Sequence, residues 1–169
     1  MKRLLALAVC LALIAVCAAA EETDAYSLIE MTDTFETISE KLGAPAANDG
    51  EYADFGGVLC AFFDSGRLQA KMRGFDDVRS VAAPTNGDFA AAKRLKKGAL
   101  LADVSAILGG EGEEIMRVNL SDEETSGVQT VLAWVNADSQ VMEALFELDD
   151  GEWTLFAVVE ITDIIEGKE

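Results

Sequence analysis

Apolar and polar positions alternate with two different periods along the chain, and the period changes twice from helix-like to strand-like. Ile38-Ser39-Glu40-Lys41-Leu42-Gly43 and Val104-Ser105-Ala106-Ile107-Leu108-Gly109 stand 66 residues apart and share one pattern. In each, an apolar residue and a leucine four apart fall on one helical face, and a glycine follows where a left-handed C-terminal cap is expected. Asp33 and Asp103 stand near the starts of these helices, where a carboxylate can accept from free backbone N–H groups. Shorter helical stretches, residues 26–30 and 89–95, precede them. Downstream the period falls to two, predicting strands over 51–55, 58–63 and 67–73, then over 128–135, 140–148 and 153–162. Gly56-Gly57, Asp64-Ser65-Gly66, residues 136–139 and Asp149-Asp150-Gly151-Glu152 supply the turns.

This order predicts an α+β fold of two tandem helix-helix-antiparallel-meander repeats, with the helices packed on one face of the sheet. Residues 21–83 form the first repeat and 84–169 the second, with Pro84-Thr85-Asn86-Gly87 at the boundary. The second repeat is expected to carry longer strands and a polar loop over 121–127.

Residues 1–20 read as a signal peptide. Lys2 and Arg3 precede an apolar run from Leu4 to Cys17, and Ala18-Ala19-Ala20 offers small residues for a peptidase. Ile14-Ala15-Val16-Cys17 resembles a bacterial lipobox, so lipidation of Cys17 competes with cleavage after Ala20, and an uncleaved anchor is a third outcome. Either cleaved form places the protein outside the cytoplasm, secreted or membrane-anchored. Cys60, in the apolar run 58–63, cannot pair internally in a chain cut after Ala20 and is expected to be a buried, inert thiol.

Composition then removes whole classes of function. The formal charge is -18, opposite in sign to what phosphate neutralisation needs, so nucleic acid is excluded as a partner. The chain has no histidine, which removes histidine-based nucleophilic catalysis and the usual histidine-ligated metal centres. The acidic clusters at 111–114, 122–124 and 149–152 lack the alternating ligand spacing of a calcium loop. No cofactor, metal or enzymatic activity is expected. Charge is uneven: residues 98–169 hold 17 acidic and 2 basic side chains, net -15. Lys93, Arg94, Lys96 and Lys97 form a basic cluster expected at a helix C-terminus, with contact to an anionic membrane as the alternative.

Phe89-Ala-Ala-Ala-Lys93-Arg94-Leu95-Lys96-Lys97-Gly98, followed by Val104 to Gly110 and Glu111-Gly112-Glu113, resembles the tandem-repeat proteins of β-lactamase-inhibitory-protein type. Trp134, a polar turn and an alternating strand carrying Phe146 extend the likeness, which covers roughly residues 26 to 165. The same fold type occurs in outer-membrane lipoproteins of the SmpA/OmlA kind. The resemblance implies the scaffold and a binding role for its concave sheet. It departs in one respect: those inhibitors carry disulfides within each repeat, and this chain cannot.

Strand alternation nominates the partner-binding residues. With Leu68, Ala70 and Met72 turned inward, Arg67, Gln69, Lys71 and Arg73 form a basic stripe on the open face. With Met142, Ala144, Phe146 and Leu148 inward, Glu143 and Glu147 form an acidic stripe, joined by Phe156 and Val158 from the next strand. Charged stripes around an aromatic anchor suit a protein surface. Arg67, Lys71, Arg73, Glu143, Glu147 and Phe156 are the candidate contacts, and Trp134 is expected in the core. The sequence reads as a non-catalytic extracytoplasmic protein-binding module that meets another extracytoplasmic protein, and the resemblance implies an inhibitor-like mode. Membrane contact is expected only through the signal segment or a lipid on Cys17. The alternative is an envelope lipoprotein with a structural or assembly role.

Overall fold

A computed structural model describes residues 24–62, 66–74, 78–121 and 126–161. The expected signal peptide with Cys17, the Asp64-Ser65 part of the first hairpin and the 122–124 cluster lie outside the described residues. In chain order the elements are α1 (Ala25–Leu28), α2 (Phe35–Leu42), β1 (Ala47–Asn48), β2 (Tyr52–Asp54), β3 (Val58–Phe62), β4 (Leu68–Arg73), a 3-10 turn (Val78–Ser80), β5 (Ala83–Pro84), α3 (Phe89–Ala92), α4 (Leu101–Leu108), β6 (Glu113–Ser121), β7 (Ser126–Val135), β8 (Val141–Asp149) and β9 (Glu152–Ile161).

Strand dominates this inventory, and the expected α+β fold of two helix-helix-meander repeats is corrected. The protein is mostly antiparallel sheet, 43% strand against 22% helix. The reason is length. Two of the four helices have four residues and two have eight, well short of the ~12–15 residues at which a helix becomes marginally stable alone. The second half instead commits to four strands of nine or ten residues. The nine strands among the described residues belong to one sheet, ordered β1-β2-β3-β4-β6-β7-β8-β9, with β5 lying parallel to the end of β7. β6 was not foreseen. It pairs antiparallel with β4, Lys71 opposite Arg117, and so carries the sheet without a break from the first half into the second.

Local chemistry explains the ends of the elements. Thr34 caps α2, its hydroxyl accepting from Thr37 N–H while the Thr37 hydroxyl accepts from Thr34 N–H. Asp33 does not itself cap. It accepts from Glu30 N–H, the Thr37 hydroxyl and Lys41 Nζ at 2.7 Å. Burial would raise its carboxyl's pKa, but these donors outweigh it and hold the carboxyl below its ordinary value. Asp103 lies in the first turn of α4, whose N-cap Leu100 gives no side-chain cap. Gly109 adopts the expected left-handed cap, at φ 77° and ψ 19°. The hairpin turn Asp150-Gly151 has both residues at positive φ, as a two-residue turn requires.

One face of the sheet buries two apolar clusters. The first joins Tyr26, Ile29 and Ile38 to Phe55, Cys60 and Leu68, and the second joins Phe89, Val104 and Leu108 to Trp134, Met142 and Phe146. Burial pushes the Cys60 thiol up to about 12, so it is inert at neutral pH. On the opposite face, Val78, Val81 and Ala82 fold over Ile115 and Ala133, with Val131 and Val135 packed against them, and among the described residues this is the end that is covered. The remainder of that face is the open face.

Candidate functional site: the open face of the sheet

Register assigns each strand residue to a face, because residues paired directly across an antiparallel ladder point the same way. Leu59 pairs with Met72, Met72 with Met116, Met116 with Val131, Val131 with Leu145, and Leu145 with Ala157. These six residues form one apolar row across six strands of the open face. Leu59 is 39% exposed and Met72 38%, and the other four are half-buried. A parallel row runs Ala61, Ala70, Val118, Gln129, Glu147 and Thr154, turning from apolar to polar as it enters the second half.

Three bulges decide what belongs on this face. At the first, Phe62 pairs with Leu68 and Ala61 with Ala70, leaving Gln69 as the extra residue of β4. Past it, alternation is shifted by one position. The expected open-face stripe of Lys71 and Arg73 is therefore corrected: both turn with Leu68 to the buried face. Lys71 is 7% exposed, donates to the Tyr26 and Ile29 carbonyls at 3.0 and 2.8 Å, and lies over the Tyr26 ring. Arg73 contacts Asp24 at 2.6 Å and Glu113 at 2.5 Å. Arg67 is exposed just before β4 and bridges Thr34 through its backbone.

The second bulge makes Ile115 the extra residue of β6, and the third does the same for Phe156 on β9. Val158 accordingly packs against the second buried cluster, not on the open face as alternation had placed it. Phe156 is 40% exposed with Lys97 Nζ 3.7 Å from its ring centre. Glu143 and Glu147 stand on the open face where they were expected, half-buried. Glu147 accepts from Gln129 at 2.8 Å and has Lys97 at 3.7 Å. The structure thus brings Glu143, Glu147 and Phe156 towards one side of the face and takes Lys71 and Arg73 to the other surface. Ala70 and Met72, expected to point inward with Leu68, lie on the open face, and Met116, Val131 and Leu145 were not among the expected contacts, though Met116-Arg117-Val118 alternates visibly in the sequence.

Burial raises the Glu143 carboxyl above its ordinary value. The folded protein then holds that proton to higher pH than the unfolded chain, so the stability carried by this group is present in acid and lost as pH rises through the folded value. Glu143→Gln is expected to raise the urea midpoint at pH 7 and to leave it unchanged near pH 3. An equal shift at both pH values would contradict this account.

The buried face holds the other polar group of note, the seam where β4 meets β6. Glu114 accepts from the Tyr26 hydroxyl at 2.9 Å and the Thr130 hydroxyl at 3.0 Å, and it pairs with Arg117. Lys71 Nζ lies 4.0 Å from it, and Arg117 stacks over Trp153. The tyrosine, the threonine and both cations meet this carboxylate, the mark of a structural network, although the buried Arg117 Nε has no hydrogen-bond partner. A shallow cleft of about 310 Å³ among Pro84, Thr85, Asn86, Val135, Asn136 and Ala137 contains no titratable side chain. Among the described residues no group of three or more Cys, Asp or Glu is placed to hold a metal, and no helix is long and apolar enough to cross a membrane.

The chain matches no protein-family model, and no curated protein matches it.

Proposed function

We propose that the protein is a non-catalytic extracytoplasmic binding module that presents its open sheet face to another protein, in the manner expected of a β-lactamase-inhibitory-protein-like scaffold. The observation that carries this reading is the row Leu59, Met72, Met116, Val131, Leu145 and Ala157, an apolar track on a face that, among the described residues, residues 78–82 cover at one end, with Val131 at the margin of that cover. Contiguous exposed apolar surface on a strongly charged protein marks an interaction site more often than an isolated exposed side chain does. Glu143 and Glu147 set the polarity of the track, so the fitting partner has an apolar centre and a basic rim.

Reversing both carboxylates, Glu143→Lys with Glu147→Lys, is expected to weaken capture of that partner while changing stability by no more than about 1 kcal/mol, because both are partly solvated. Capture unchanged by the reversal would sink the reading.

The second reading, an envelope lipoprotein with a structural or assembly role, rests on Ile14-Ala15-Val16-Cys17. Acyl labelling abolished by Cys17→Ser would favour it, and a mature chain beginning at Glu21 would remove it.

A further inference from the structure

A basic platform stands on a protein that is otherwise acidic. Lys93, Arg94, Lys96 and Lys97 are all exposed, in a chain of net charge -18 whose residues 98–169 hold only two cations. Like charges this close repel one another, so the backbone beneath them has to be held, and it is. Phe89 and Ala92 of α3 are buried in the second cluster, and Leu95 and Ala99 pack against it. Gly98 N–H donates to the Leu155 carbonyl and Leu155 N–H to the Ala99 carbonyl, both at 2.7 Å, fastening the segment along the edge of β9. Leu100, 38% exposed, bridges Thr154 on that strand, and exposed Phe156 lies beneath the Lys97 ammonium. Asp88 beside them accepts from Ala91 N–H, and Glu147 adjoins Lys97 while also accepting from Gln129.

We infer that residues 93–97, with Leu100 and Phe156 beside them, are a docking surface for an anionic lipid bilayer. The charge complementarity is direct. Four cations on long, solvated stems suit a plane of headgroups, and an exposed leucine and phenylalanine at the same edge can enter the interfacial layer. The platform orients the molecule: with its cations against the bilayer, the strongly acidic remainder of the second half is repelled from the lipid surface.

The test uses residues 21–169, which contain both buried clusters entire, and vesicles of phosphatidylcholine with or without phosphatidylglycerol at low salt. Binding is expected only with phosphatidylglycerol. Lys96→Gln with Lys97→Gln should weaken it about thirtyfold, as two surface cations predict. Arg67→Gln with Arg79→Gln makes the same change in net charge elsewhere and should alter it less than about twofold. Equal loss in both pairs would overturn the inference, as would binding that ignores phosphatidylglycerol or no binding at all. An acidic peptide held by the platform in the absence of vesicle binding would also overturn it, assigning the surface to an acidic protein segment.

Discussion

Trp134→Ala is expected to lower the free energy of unfolding by about 3–5 kcal/mol, the largest loss available from a single side chain here. Trp134 is fully buried, packed among the residues of the second cluster, and its indole N–H donates to the Gly110 carbonyl at 3.0 Å. Truncation opens a cavity in the second cluster, where the end of β7 meets the start of β8, and leaves that carbonyl without its donor. The fit is close from the far side too: a Cβ on Gly112 would lie 2.6 Å from the ring. Gly112→Ala should therefore also destabilise, by about 1–3 kcal/mol, through overpacking. Urea unfolding followed by circular dichroism measures both. A loss under about 1 kcal/mol for Trp134→Ala would mean that the second cluster does not hold the sheet.

Glu114→Ala should cost about 2–4 kcal/mol, less than a fully buried pair because its side chain is 20% exposed. One carboxylate serves Tyr26, Thr130 and Arg117 and sits beside Lys71, which would keep only its two backbone carbonyls. Burial already lowers the Lys71 pKa, against the pull of Glu114. Losing Glu114 depresses it further, so the penalty should shrink as pH rises towards the ordinary lysine value, above which Lys71 is neutral in both states. In a double-mutant cycle with Lys71→Met, the two losses should fall short of additivity by about 1–3 kcal/mol. Strict additivity would dissolve the network into independent surface groups.

Much of the strand pattern was legible in the sequence. The runs at 51–55, 58–63, 67–73, 128–135, 140–148 and 153–162 contain β2, β3, β4, most of β7, β8 and β9. What escaped was the balance between helix and sheet. Residues 26–30 and 89–95 have helical periodicity but yield one turn each, since a short window shows period without showing length. β6 was hidden by its acidic start, Glu113-Glu114, which reads as a solvated cluster until Arg73, Arg117 and Tyr26 are seen around it.

The candidate site was half legible for a sharper reason. Alternation assigns faces only while the ladder is regular, and one extra residue reverses every assignment beyond it. Gln69 does so for Lys71 and Arg73, and Phe156 for Val158. Neither position carries the glycine that often signals a bulge. Glu143 and Glu147 precede the irregularity on their strand pair or face it from the intact strand, and they stand where alternation put them.

The most direct test places a photo-crosslinking side chain at Met72, at Leu145 and, on the short helix α1 away from the open face, at Leu28, in full-length protein expressed in the native cell. The proposal predicts one and the same partner joined at Met72 and Leu145 and absent at Leu28. No crosslink from the apolar row, or the same products from all three positions, would contradict the assignment of the open face as the binding surface.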